Sequence, residues 1–425
     1  MVSRISDALS RACELPARVL ARVLPPAKEA PPRLLPYEWA LLLGGTVMLL
    51  VPHGLWNNLF GVLYAAAALL LYWCDCARYG KKPLSPGVLS LAVWVFLALC
   101  LLSALWAGDR AASLRVALFY FAGFCLAYLA AAAYASAEVR SLAPRLLWLT
   151  LMLTALYGFF AYLFLPTPYY VPVGGKILPR LCSTLEHAIN YGEFTAMALP
   201  LVLVWALTRE KKRARGFYSL SLIVPLGALA LTYSRTGYVA LALALAVLAW
   251  SKNPKWLLPL AALAVAAVAL APADIRARIL SMLEFSNTAS SGRFLLWREC
   301  FGIFREHPLL GVGLGTENFY AAYLPFSTGL LDFTPPHSNM GYYEILLSLG
   351  LVGFAAFSVF YFGILVRLIR RVRREKGTAA RFETAALLAS LSGAALANVP
   401  EHVWFYPRVL FFWCLIYGAA RAHTE

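Results

Sequence analysis

The chain has 425 residues, 61% of them hydrophobic and only 14% charged, with a mean hydropathy of +0.69. Water-soluble domains are nearer half apolar and a quarter charged, so that class is excluded. The net charge of +16 would suggest nucleic acid in a soluble protein; here it has a simpler source, because the cytoplasmic loops of membrane proteins are rich in Lys and Arg, and no nucleic-acid partner is expected.

Residues 1–33 are basic, with no long apolar run and no cleavable signal peptide. Arg4, Arg11, Arg18 and Arg22 share one side of a helix, with Ile5, Leu9, Val19 and Val23 around them. That pattern suits an amphipathic helix on the anionic inner leaflet, and equally a frayed basic tail.

Twelve apolar segments follow, at 37–52, 55–73, 86–106, 114–134, 145–165, 193–208, 217–233, 236–250, 256–271, 341–366, 384–399 and 406–420. Many reach or approach the length that spans a bilayer. With the N-terminus inside, the inner segments hold 26 of the 37 Lys and Arg, and the outer ones hold 11. Every alternate short loop then obeys the positive-inside rule. The fold expected is an all-α polytopic membrane protein with both termini cytoplasmic. Its parts are a cytoplasmic segment 1–36, nine helices over 37–271 with an outer loop at 166–192, a long outer loop 272–340, three helices over 341–420 and a tail 421–425.

Within the long loop, Phe294, Trp297, Phe301 and Phe304 form an apolar helical stripe, with Arg298, Glu299, Arg305 and Glu306 opposite. A short helix on the outer surface or packed on the bundle is expected there. Gly311-Val312-Gly313-Leu314-Gly315 follows it. No strand precedes these glycines and no Gly-Lys-Ser/Thr follows, so they read as a tight turn and not a phosphate loop. Cys74-Asp75-Cys76 is too tightly spaced for a zinc knuckle. A disulfide between Cys182 and Cys300 is left open.

The chemistry is concentrated outside. Ten of the eleven outer cations are arginines, Lys176 being the exception. Arginine is costly near lipid unless paired or near water, and it grips phosphate in a bidentate way that lysine cannot. Arg235 sits in a break between two apolar helices, where it either faces a cavity or snorkels. Arg180 follows Pro179 in the first long loop, and Arg293 follows Ser291-Gly292 at the start of the surface helix. Pro335-Pro336 ends the long loop, and His337 follows at the mouth of the tenth apolar segment. A helix N-terminus disfavours a protonated imidazole, so His337 is a candidate base, or a residue that only caps or packs. The outer carboxylates Asp109, Asp274 and Asp332 are far apart in sequence, which gives no support to a divalent-metal site. Glu186, Glu193, Glu317, Glu344 and Glu401 are available to orient sugars or pair with the arginines.

Ser234-Arg235-Thr236-Gly237, Ser291-Gly292-Arg293 with Trp297, His307-Pro308-Leu309-Leu310-Gly311-Val312-Gly313, and Pro336-His337-Ser338-Asn339 through Leu349-Gly350-Leu351-Val352-Gly353 together resemble the O-antigen ligase family. The likeness spans roughly residues 180–366, and the first five helices share only hydropathy with it. It implies a GT-C-like, metal-independent, inverting glycosyltransferase without cofactors, acting at the periplasmic face of a bacterial inner membrane. The donor implied is an undecaprenyl-pyrophosphate-linked glycan and the acceptor a sugar hydroxyl of lipid A–core. Arg180, Arg235 and Arg293 would hold the pyrophosphate, and His337 would take the acceptor's proton. The same motifs leave open an O-antigen polymerase and a protein O-oligosaccharyltransferase. A transporter of the lipid-linked glycan is the non-enzymatic alternative. It would need cations along a path through the bundle, with His337 and Arg235 near the bilayer midplane. Oligomeric state is not encoded in these motifs.

Overall fold

The computed structural model describes residues 2–27, 30–282, 288–331, 335–375, 377 and 379–425. Asp332 and the side chains of Arg4, Ile5, Leu9 and Ser291 lie outside the described residues. The chain begins with α1 (Val2–Val23), α2 (Pro36–Leu50), α3 (Asn58–Tyr79), α4 (Leu91–Leu102), α5 (Arg110–Ala133) and α6 (Ala137–Phe164). A hairpin of β1 (Tyr170–Val173) and β2 (Lys176–Pro179) leads to α7 (Ala188–Leu207), α8 (Lys212–Ser221), α9 (Ile223–Leu231), α10 (Arg235–Lys252) and α11 (Leu257–Leu270). The long loop holds α12 (Ala273–Leu280), α13 (Thr288–Glu306) and α14 (Thr316–Tyr323). After it come α15 (Gly341–Arg374), α16 (Ala379–Ala397) and α17 (Pro407–Thr424).

Each of the twelve apolar segments coincides with helix, the one at 217–233 being divided between α8 and α9. Among the described residues, six helices are long and apolar enough to cross a membrane: α3, α5, α6, α7, the α8–α9 pair and α15. Three shorter apolar helices join them, α2, α4 and α11. No residue of α11 is buried within the chain, and Leu258, Val265 and Leu270 stand 78%, 71% and 86% exposed. Water would penalise such a surface and lipid would not. The protein is a multi-pass membrane protein built mainly of helix.

The centre is made by α5, α7, α10, α16 and α17, which meet through small residues. A Cβ on Gly237 of α10 would come within 2.9 Å of the Gly192 Cα in α7, and one on Gly418 of α17 within 1.9 Å of the Ala127 carbonyl oxygen in α5. Such close approach is how helices pack where lipid removes the hydrophobic drive. Hydrogen bonds tie helix ends together in two groups. In one group Arg408 donates to the carbonyls of Val51 (2.7 Å) and Thr184 (3.1 Å), and the Asp109 N–H donates to Asn318 Oδ1. In the other, Arg421 donates to the Val88 carbonyl at 2.6 Å, and Tyr134 bonds both Glu383 and His423.

The helical expectation holds for the bulk of the fold, and one short hairpin adds to it: Gly174 and Gly175, with φ of 55° and 79°, turn β1–β2, whose Val171 and Val173 pack with Tyr233. The buried face of α13 is not the aromatic stripe. Leu296, Cys300 and Ile303 face Phe319, Tyr323 and Leu347, while Phe294 and Phe301 are exposed. Glu299, expected on the polar side, is buried and accepts from Tyr323 Oη–H and from the Thr328 N–H and hydroxyl. α13 packs on α14 and the start of α15, and that contact overrides its aromatic periodicity. Cys182 and Cys300 are both free.

The glycine-rich segment is structural. α15 breaks at Gly350, whose φ is 64°. Val312 and Gly313 N–H groups donate to the Leu347 and Ser348 carbonyls at 3.0 and 2.9 Å, and the Leu351 N–H donates to Pro308 O at 2.9 Å. The segment supplies the bonds the broken helix cannot make for itself.

Candidate active site

The chain from Pro335 to Glu344 forms a hook tied down by its own side chains. Glu344, in the first turn of α15, accepts from the Ser338 backbone N–H at 2.8 Å. Asn339 takes a φ of 54°, in the left-handed region that Asn tolerates better than most residues. Its backbone N–H points back to His337 Nδ1 at 3.0 Å. Trp297 of α13 donates its indole N–H to the Ser338 carbonyl at 2.9 Å, which ties the surface helix to the hook. The Gly341 N–H faces the carbonyls of Asn398 and Glu401, each at 2.9 Å. A Cβ on Gly341 would come within 2.1 Å of Asn398 Oδ1, so glycine is needed for α15 to start against the α16–α17 connection. His337 is thereby buried, its ring 4.3 Å from that of Phe405 and 5.5 Å from that of His402.

His337 and Asn339 line a cavity of about 240 Å³ together with His187, Glu193, Arg293, Glu401, His402 and Tyr406. Four parts of the chain meet there. α13 supplies Arg293, which is ion-paired with Glu401 of the α16–α17 connection. The start of α7 supplies His187 and Glu193, and the hook supplies His337. The Gly192–Gly237 contact seats the N-terminus of α10 beside that of α7.

Around this cavity the other arginines converge on the α9–α10 turn. Arg180, at the end of the hairpin, donates Nε–H to the Thr232 carbonyl at 2.8 Å. Arg278 of α12 donates Nε–H to the Tyr233 carbonyl at 3.0 Å. Arg235 comes two residues later, with its Nη2 2.9 Å from Ser281 Oγ, and Ser234 caps the helix by accepting from the Gly237 N–H at 3.1 Å. Of the four residues singled out from sequence, His337 and Arg293 line the cavity; Arg180, bonded to the adjoining turn, and Arg235, which follows that turn, are not among its lining residues.

The electrostatics follow from burial among like charges. Burial, and after it Arg293, pushes the His337 pKa down to about 4. Burial and then Arg180 push His187 to about 4 as well. Arg278 is held down to about 10 by burial, and then by the charges of Arg235, Arg180 and Arg293. Burial raises Glu401, while Arg293 and Arg180 pull it back. A positive, partly dehydrated pocket beside neutral imidazoles can hold a polyanion and receive a proton. Among the described residues, no group of three His, Cys, Asp or Glu side chains could hold a metal ion.

Other outer charges are engaged elsewhere. Arg115 pairs with Glu317 at 3.2 Å, and fully buried Arg408 lies 3.4 Å from Glu186. The sequence reading of glutamates as arginine partners thus holds for Glu186, Glu317 and Glu401. It passed over His187, Arg278 and His402. The signal for His402 was legible, since Asn398 to His402 is a short polar break between two apolar segments.

Residues 220–358 match a family model described as O-Antigen ligase. No curated protein matches the chain.

Proposed function

We propose that this chain, a member of the O-antigen ligase family through residues 220–358, transfers a glycan from undecaprenyl pyrophosphate to a sugar hydroxyl of lipid A–core at the periplasmic face of the inner membrane. The family is one of O-antigen ligases and polymerases, glycosyl-transferring enzymes that work on lipid-linked glycans in a membrane. The observation that carries the finer reading is the Arg293–Glu401 pair inside a buried cavity, beside neutral His337 and next to the turn that gathers Arg180, Arg235 and Arg278.

The chemistry is a single displacement. The acceptor oxygen attacks the anomeric carbon, the bond to the pyrophosphate oxygen breaks, and the configuration inverts. Negative charge grows on the departing pyrophosphate. Fixed guanidinium groups in a poorly solvated site stabilise that charge without reorganising. His337 faces the reacting centre as a neutral ring and is the candidate base for the acceptor hydroxyl. Both His337 and Arg235 precede or begin a helix, beside the helix ends that the charge count places outside. A path of cations along the bundle would favour transport; the grouping of arginines at one end favours enzymatic transfer.

A purified transfer assay tests the proposal, with the protein in detergent, an undecaprenyl-pyrophosphate-linked glycan, lipid A–core and excess chelator. Glycan attached to lipid A–core is the expected product. Longer lipid-linked chains with untouched lipid A–core would mean a polymerase, and neither product would return attention to transport.

A further inference from the structure

A cavity of about 420 Å³ lies at the other end of the bundle, near Tyr134, where the connections from α1 to α2, after α3, and from α5 to α6 meet. The charge count places all three connections in the cytoplasm. The floor of the cavity is acidic and held in place by backbone. Buried Glu38 accepts from the Leu35 N–H at 2.8 Å, and buried Asp75 accepts from the Tyr37 N–H at 3.1 Å. Leu84, on the facing wall, is pinned by the hydroxyls of Tyr72 (2.7 Å) and Tyr128 (2.6 Å). Arg33, Lys81 and Lys82 also line the cavity and are exposed. Among the described residues, none of these three cations is ion-paired with Glu38 or Asp75. The two signs therefore face one space without cancelling each other. A ligand of one sign suits half of this lining, and a head that carries both phosphate and ammonium suits all of it.

An apolar cleft of about 240 Å³ continues the cavity into the bundle. Glu38 lines the cavity, and Leu41, Gly45 and Leu49, further along the same face of α2, line the cleft. Ser136 lines the cavity, and Arg140, Leu147 and Thr150 of α6 line the cleft. From Arg140 to Thr150 the cleft follows α6 for about 15 Å, at 1.5 Å per residue. That is one leaflet's share of a hydrocarbon core about 30 Å thick. A charged head pocket leading into an apolar cleft one leaflet deep has the dimensions of a phospholipid.

We infer that this end of the protein binds an inner-leaflet phospholipid of the phosphatidylethanolamine class. Arg33, Lys81 and Lys82 take its phosphate, Glu38 and Asp75 take its primary ammonium, and one acyl chain fills the cleft between α2 and α6. A phosphatidylglycerol head would leave the acidic floor unmatched. A choline head has no N–H to give the carboxylates. The polyprenyl donor is a poorer occupant, because the proposed reaction seats its charged end with Arg293, at the opposite end of the bundle. No step of that reaction depends on the lipid.

The test titrates the full chain in detergent with phosphatidylethanolamine, phosphatidylcholine and phosphatidylglycerol of identical chains, and with undecaprenyl phosphate, reading binding by native mass spectrometry. Phosphatidylethanolamine should bind about tenfold more tightly than the other two phospholipids. Asp75→Asn keeps an acceptor for the Tyr37 N–H and should erase the preference over phosphatidylcholine. Lys81→Gln with Lys82→Gln should weaken phosphatidylethanolamine and phosphatidylcholine alike. Ala143→Trp, in the cleft wall, should weaken all the phospholipids. Thermal unfolding checks each variant's fold, and the comparison on the unaltered chain decides the matter even where a variant unfolds early. Equal binding of the three phospholipids would mean an unselective lipid shell and overturn the proposal, as would tightest binding of phosphatidylglycerol. If Ala143→Trp weakens undecaprenyl phosphate and leaves phosphatidylethanolamine unchanged, the cleft belongs to the donor's tail and the proposal is likewise overturned.

Discussion

At the scale of single residues, Arg293 and Glu401 are a matched pair whose loss is asymmetric. Arg293→Ala removes the guanidinium proposed to hold the pyrophosphate and leaves Glu401 buried without its partner. Its transfer rate is expected to drop by about 100-fold or more. Arg293→Lys should recover only part, since an ammonium cannot form the planar fork; full recovery would mean that charge alone suffices. A second residue-level consequence concerns acid. Folded His337 and His187 take a proton only near pH 4, whereas an exposed imidazole takes one near 6.5. Between those values the unfolded chain binds more protons, so stability rises with pH. The contribution is complete above about pH 6.5 and lost as pH falls toward 4. Thermal unfolding in detergent should therefore soften from pH 7 to 5, and the slope should be shallower in His337→Gln. Equal slopes would show that the ring is not buried neutral.

At the scale of elements, Gly311 and Gly350 serve a backbone junction. Gly350 has a φ of 64°, and a Cβ there would meet the Leu309 carbonyl at 2.2 Å. Gly311, with a φ of 69°, would meet the Leu347 carbonyl at 2.4 Å. Alanine at either site is strained in φ and also collides with backbone, which has no rotamer to yield. Gly350→Ala is expected to cost about 2 kcal/mol or more and to loosen the hook carrying His337. Limited proteolysis and thermal unfolding would register it, and wild-type behaviour in both would dissociate the junction from fold stability. The element level also shows what the sequence made legible. Apolar run length located helix at each of the twelve segments, because lipid-facing and buried positions alike must be apolar. The β1–β2 hairpin escaped, although Gly174-Gly175 between Val-Pro-Val and Lys-Ile-Leu is a recognised turn signal, because two four-residue strands are brief beside twenty-residue helices. The face of α13 escaped for another reason. Its aromatic residues have helical period, but burial depends on what lies opposite, and α14 and α15 offer pockets for Leu296, Cys300 and Ile303 instead.

At the scale of the whole molecule, the site is assembled from residues as far apart as Arg180 and His402, and only the topology brings them together. The sequence could name Arg180, Arg235, Arg293 and His337 because arginine bias and a proline-led helix start are local signals. It could not say that Arg293 would meet Glu401, or that His402 would stand beside His337, because those contacts depend on how α13 and the α16–α17 connection pack. The same topology makes the sidedness testable. Gly175 is at the hairpin tip and has no atom within 4 Å of a Cβ placed there; Arg213, in α8, is on the side the charge count assigns to the cytoplasm. The measurement uses a chain whose eight free cysteines have been replaced, carrying Gly175→Cys or Arg213→Cys, in cells with a permeabilised outer membrane. A membrane-impermeant maleimide should label position 175 and spare position 213 until the inner membrane is opened. Gly175 precedes α7 and Arg213 follows it, so the contrast reads the orientation of α7 and of the site at its start. The reverse pattern would put the arginine cluster on the cytoplasmic face, away from a periplasmic acceptor. The transfer reaction would then be untenable even though the cavity, the Arg293–Glu401 pair and the two histidines would remain as described.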